Sequence, residues 1–161
     1  MGEFQYPVIV SMLLLLLAFP LMFHVKWGNY VQALGGSRTA LMRSGVRTGF
    51  YRITVHMFLG LTAALTAIII TARLNSAEPN AGMNMELDAI TAVIMGGTPI
   101  RGGSASIVGT VLAVLILGTI RNGLTLLSVS SDFQQWITGF LLLASVLISE
   151  VKVWNIKTLI K

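Results

Sequence analysis

Charge is what this chain has least of. Only 11% of its 161 residues are Asp, Glu, Lys or Arg, against about 25% in a typical soluble domain. That is too little to cover a globule of this size in water, so the chain reads as an integral membrane protein. Cysteine is absent, which excludes disulfide frameworks and thiolate metal sites. The two histidines, His24 and His56, lie too far apart to imply a metal pair and fall near expected membrane interfaces. Glu86 and Asp88 are two apart, a spacing that points them away from each other on a helix, so a solvated loop edge is favoured over a catalytic pair. The glycine pairs 35–36, 96–97 and 102–103 lack phosphate-loop spacing and no GxxxxGK[ST] occurs. No serine has a nucleophile-elbow context. The expectation is no catalytic residue, no metal, no cofactor and no enzymatic activity.

What the chain does have is apolar length. Hydrophobic residues make up 55%, and the mean hydropathy is +0.81. A bilayer-crossing helix needs about 20 mostly apolar residues. Runs of that kind are Pro7–Val25, Ile53–Leu74, Ile107–Leu127 and, slightly shorter, Phe133–Ser149. Met1–Pro7 holds Glu3 and no Lys or Arg, and no small-x-small site follows Val8–Phe23; the first run is therefore read as a retained membrane helix, not a signal peptide. Pro20 lies in its last third. In the second run, Gly60 and Ala64, like Ala63 and Ala67, are four apart, the small-residue spacing that lets helices approach in lipid. Leu87–Gly97 is apolar but short and is stopped by Gly96-Gly97-Thr98-Pro99, the look of a broken membrane helix.

Charge sets the expected topology. The connector His24–Arg52 carries Lys26, Arg38, Arg43, Arg47 and Arg52 and no acid. The positive-inside rule places it in the cytoplasm, leaving the acid-bearing loop Asn75–Glu86 outside. If Leu87–Gly97 also crosses, Arg101 lies inside, Ser128–Asp132 outside, and the lysine-bearing tail from Glu150 to Lys161 inside. The expected architecture is an all-α polytopic bundle with about five membrane segments, one short or broken, N-terminus out and C-terminus in, forming a single membrane domain over residues 1–161. The net charge of +5 is a consequence of this arrangement, and no nucleic-acid partner is expected; membrane lipid is.

Within the connector, Ser37 suits a helix N-cap and Gly45 the residue just past a helix end, where φ is positive. The spacing predicts a helix of about two turns, with Gly35-Gly36 as a flexible lead-in. Ala40, Leu41 and Ser44 would form its small-to-medium face. This is a natural docking element; an ordinary basic loop obeying the positive-inside rule is the alternative. Arg121 is a second oddity, about six residues inside its span, or roughly 9 Å at 1.5 Å per residue. Such a charge marks a functional site or snorkels outward toward Asp132.

These stretches resemble a known family. Ala33-Leu-Gly-Gly-Ser-x-x-Ala40-Leu-x-x-Ser44-Gly45-Val46 is similar to the cytoplasmic signature of ribose-type ABC importer permeases, roughly Ala-Ile-Gly-Gly-Asn-x-x-Ala-Ala-x-x-Ser-Gly-Ile. Thr71-Ala-Arg-Leu-Asn75, Pro79, Gly82 and Glu86-Leu-Asp-Ala-Ile-Thr-Ala-Val-Ile-Met-Gly-Gly97 resemble the family's extracellular loop and following short helix. Gly102-Gly-Ser-x-x-Ile-Val-Gly-Thr110, leading to Leu117-Gly118 and Asn122-Gly-Leu124, is a third match. The likeness covers the C-terminal half of such permeases. Ser37 stands where the family has Asn, and Leu41 where it has Ala.

The resemblance implies a subunit of an ATP-driven monosaccharide importer in the bacterial plasma (inner) membrane. Its partners would be ABC ATPase subunits, a companion permease and an extracytoplasmic sugar-binding protein. Ser37, Ala40, Leu41, Ser44, Gly45 and Val46 would form the helix that couples to the ATPase, and Gly96, Gly97, Arg121 and Asn122 are candidates for the translocation path. The second reading is a non-transporting permease remnant acting as a small structural or regulatory membrane protein.

Overall fold

The computed structural model describes residues 5–76 and 78–159. All regular structure among them is helical: α1 (Gln5–Phe23), α2 (Lys26–Gly36), α3 (Arg38–Arg43), α4 (Thr48–Leu74), α5 (Met85–Met95), α6 (Ile107–Leu126) and α7 (Ser131–Leu159). They fall into two compact units, Met1–Gly82 and Met83–Lys161. Glu3 and Lys161, on which part of the topology argument rested, lie outside the described residues, as do the side chains of Glu150, Lys152 and Lys157.

In the first unit, α1 is apolar all round and 19 residues long, about 28 Å at 1.5 Å per residue, close to the roughly 30 Å of a hydrocarbon core. Pro20 gives up one helical N–H, and the helix ends three residues later, where His24 N–H bonds back to the Pro20 carbonyl at 2.8 Å. α4 begins at Thr48, five residues before the expected Ile53, and ends where Asn75 turns left-handed at φ 51°. Its Thr62, Thr66 and Thr71 hydroxyls donate to carbonyls of their own helix, which hides their polarity from lipid. A side chain added at Gly60 would meet nothing within 4 Å, so the small-residue face of α4 is unused inside its unit.

The connector is not an open loop. Residues 26–36 form α2, with Gly35 and Gly36 as its last helical residues and not a flexible lead-in. The cause is an apolar stripe, Trp27, Tyr30, Val31 and Leu34, at the i, i+3, i+4, i+7 spacing of one helix face. Trp27 packs on Phe58 of α4 with ring centroids 5.3 Å apart, and its indole N–H donates to Thr54 Oγ1 at 3.0 Å. Tyr30 meets Tyr51 at 5.2 Å. At the turn from α1, a Cβ on Gly28 would lie 2.6 Å from the Met22 carbonyl carbon; only glycine lets α2 start so close to the end of α1.

In the second unit, α5 has 11 residues, about 16 Å of helix, half of a bilayer core. It packs between α6 and α7. Its buried residues are small: Thr91 and Ala92, joined by Ala113 of α6 and Thr138 of α7. α6 is opened by Ser106, whose Oγ accepts from Gly109 N–H at 3.2 Å. Ser128 turns the chain at φ 57° and α7 follows, running helical past the expected end at Ser149 to Leu159. Four described helices, α1, α4, α6 and α7, are long and apolar enough to cross a membrane, and hardly any of their residues are fully buried within the chain. The fold is that of an integral, polytopic helical membrane protein.

Candidate functional site

Two polar constructions stand out, one in each unit. In the first, Ser37 ends α2 and caps α3. Its N–H donates to Ala33 carbonyl at 3.0 Å, and its Oγ accepts from Ala40 N–H at 3.3 Å. At the other end Ser44 N–H reaches Ala40 carbonyl at 3.1 Å, Gly45 N–H reaches Met42 carbonyl at 3.1 Å, and Gly45 turns left-handed at φ 82°. The cap residues thus take the places their chemistry assigns. The exposed face differs from expectation. Leu41 is turned inward and is 8% exposed, with α2 and α4 packed against α3. Ala40, Met42, Arg43 and Ser44 are exposed and Val46 is half-buried. Leu41 therefore seats α3 on its own unit while Ala40 and Ser44 face outward.

The second construction joins three helices. Asp88 lies in the first turn of α5, where a carboxylate also meets the positive end of the helix dipole. Both of its oxygens pair with the guanidinium of Arg121 on α6, Oδ1 with Nη2 and Oδ2 with Nη1. Arg121 Nη2 also donates to Thr138 Oγ1 on α7 at 3.4 Å. Thr138, 7% exposed, donates its own hydroxyl to Gln134 carbonyl at 3.0 Å. Gln134 Nε2 reaches Thr125 Oγ1 at 3.4 Å, and Thr125 Oγ1 bonds back to Arg121 carbonyl at 2.9 Å. A paired, two-pronged guanidinium is the tolerable form of charge in an apolar setting.

This geometry corrects two sequence readings. Arg121 turns to Asp88 and not to Asp132, which is exposed at the start of α7. Asp88 is likewise no solvated loop edge; its side chain is 25% exposed, against 39% for Arg121. Glu86 is exposed as expected. The pairing was missed because 33 residues separate the partners; the available signal was that an acid and a base each sit inside an apolar helix.

Of the four candidate path residues, Gly96 is taken up by packing. A Cβ there would come within 2.6 Å of Thr110 Cα, and one on Gly109 within 2.9 Å of the Gly96 carbonyl carbon. The end of α5 therefore meets the start of α6 backbone to backbone. Gly97 turns left-handed at φ 90° with open space around it. Thr98 Oγ1 accepts from Ser106 N–H at 3.2 Å, and Gly102 and Gly103 add positive φ angles, so the glycine-rich stretch folds as a tight link between the two helices. Asn122 is exposed beside Arg121.

Comparison with known proteins agrees with this architecture. The family described as branched-chain amino acid transport system / permease component matches residues 1–146. Ribose import permease protein RbsC of Escherichia coli (strain K12) is 43% identical over 146 residues, covering 91% of this chain and 46% of the relative. The Bacillus subtilis (strain 168) protein of the same name is 40% identical over 146 residues, covering 91% and 45%. D-allose transport system permease protein AlsC of Escherichia coli (strain K12) is 39% identical over 140 residues, covering 87% and 43%. The chain spans a little under half the length of these relatives. No solved structure matches it.

Proposed function

The chain belongs to the family described as branched-chain amino acid transport system / permease component, and from that premise we propose that it is the membrane part of an ATP-driven monosaccharide importer of the bacterial inner membrane. The observation that carries the reading is the similarity, at about 40% identity over nine-tenths of the chain, to permeases named for ribose and allose. In this reading α3 faces the cytoplasm, and Ser37, Ala40, Ser44, Gly45 and Val46 couple to a separate ATPase, with Leu41 holding the helix from behind. Closure of the ATPases on ATP moves α3 and rocks the spans, giving alternating access. A companion permease and an extracytoplasmic sugar-binding protein complete the assembly. Gly97, Arg121 and Asn122 lie along the solute path, with Gly96 shaping it through its joint to Thr110. The N-terminus lies outside and the C-terminus inside.

The test is co-purification from gently solubilised membranes, with mass spectrometry of what is retained, for the unaltered chain and for Ala40→Glu and Gly45→Pro. An ABC ATPase and a companion permease retained by the unaltered chain, with the ATPase lost from both variants while membrane insertion persists, is the expected result. Undiminished ATPase retention by both variants sinks the coupling role of α3. A chain recovered with neither partner supports the non-transporting reading.

A further inference from the structure

Helix α5 is fastened at two points, and the two fastenings differ in kind. Its C-terminal end is joined to α6 at Gly96 and Gly109, where the backbones touch and a side chain on either glycine would overlap the opposite main chain. That joint has no movable part. Its N-terminal end is held by side chains alone: the two-pronged Asp88–Arg121 pair, with Thr138 of α7 behind the guanidinium. Between the two points the helix buries only small groups, Thr91 at 0% exposure and Ala92 at 2%. Met85, Leu87 and Ile90 all stand exposed, so no large apolar side chain is buried at the N-terminal end. With 11 residues the helix is too short to be held by spanning the bilayer.

We propose that Asp88 and Arg121 are positioning residues: their ion pair is the releasable fastening of α5, and the Gly96–Gly109 contact is the fixed end about which α5 swings when the pair opens. A charge pair suits a fastening of this kind. It is strong when closed in an apolar setting, and each partner can be satisfied by water or by the hydroxyls of a polar solute when open. A packed apolar side chain offers no such second partner. The use of this swing in solute transport rests on the permease reading; the fastening itself does not.

The absence of cysteine makes the test clean. Ala92→Cys places one thiol on the buried face of α5, and its maleimide labelling is followed by mass shift in native membranes, with the full chain and its partner subunits present. Slow labelling is expected with the native pair. Asp88→Asn and Arg121→Gln should each speed labelling at least about tenfold, because an unpartnered charge or amide no longer holds the helix end. Asp88→Glu, which keeps the carboxylate, and the exchange Asp88→Arg with Arg121→Asp should both return it toward the slow rate. Single variants that label as slowly as the parent overturn the proposal. So does an exchange variant that labels as fast, or accumulates as poorly, as the single variants. Sugar uptake measured in parallel should fall with the single variants. If the parent itself drives no uptake, the permease reading fails while the labelling still decides the fastening.

Discussion

Asp88 on α5 and Arg121 on α6 form a two-pronged ion pair across 33 residues of sequence, with Thr138 of α7 as the guanidinium's third contact. A pair of this kind is weak evidence for stability, because desolvation offsets much of the attraction. Removing one partner and removing both should therefore differ. Arg121→Met alone leaves the half-buried Asp88 carboxylate without its partner and should cost about 2 kcal/mol or more. Asp88→Leu with Arg121→Met removes both charges together and should resist heating in detergent nearly as well as the parent. The check is the fraction of chain left monodisperse after a temperature series. A double variant as unstable as the single one would mean that the charges themselves, and not the orphaning of one, set stability.

The glycines at the end of α5 should separate by mechanism. Gly96→Ala puts a methyl group into the Thr110 main chain, and both neighbours are backbone that cannot rotate away. Overpacking of this sort typically costs about 1–3 kcal/mol or more, and membrane accumulation should drop sharply. Gly97→Ala meets nothing within 4 Å but must hold φ at 90°; its cost is conformational only, about 1–2 kcal/mol. Expression and thermal resistance in detergent should rank parent, then Gly97→Ala, then Gly96→Ala.

The α3 caps give a smaller, local effect. Ser37→Ala removes the hydroxyl that accepts from Ala40 N–H and should cost about 0.5–2 kcal/mol, whereas Ser37→Asn keeps an acceptor and should cost almost nothing. Amide hydrogen exchange is the appropriate reading. Exchange in Ala40–Arg43 should quicken in Ser37→Ala alone, with α4 beyond Ile53 unchanged. Uniform quickening through α4 would mean that the cap supports the whole unit.

The fold and the site differ in how much of them the sequence showed. Helix ends fixed by one or two nearby residues were legible: Ser37 and Gly45 bracket α3, and Asn75 closes α4, because capping is chemistry within a few residues. Membrane helices were legible because length and apolarity suffice. α2 was not, since the glycines and cations of the connector masked its Trp27–Leu34 stripe and the surface that covers the stripe belongs to α4, two elements away. The Asp88–Arg121 pair was hidden for the same reason. Sequence offers Arg121 only Asp132, eleven positions away, as an outward partner beside its reading as a functional-site charge; the packing of α5 between α6 and α7 is what brings Asp88 within reach. Leu41 looked like part of an outward face because the pattern of a six-residue helix does not say which side the rest of the unit occupies.

That placement of Leu41 yields the sharpest separation of support from recognition. Leu41 and Ala40 are adjacent on α3, yet Leu41 is 8% exposed while Ala40 lies on the outer side. Leu41→Ala empties a packed position and should cost about 2–3 kcal/mol, the low end of the range for a buried leucine, since little of the surrounding unit is tightly packed. Ala40→Glu changes no buried contact, so the unit should stay as stable as the parent, while under the proposed coupling role of α3 the added carboxylate blocks its outer face. Measured together, Leu41→Ala should lower thermal resistance and weaken ATPase retention in proportion. Ala40→Glu should abolish retention with thermal resistance unchanged. If Leu41→Ala instead lost the ATPase with no loss of stability, Leu41 itself would be the recognised side chain, and α3 would have to turn outward when its partner binds.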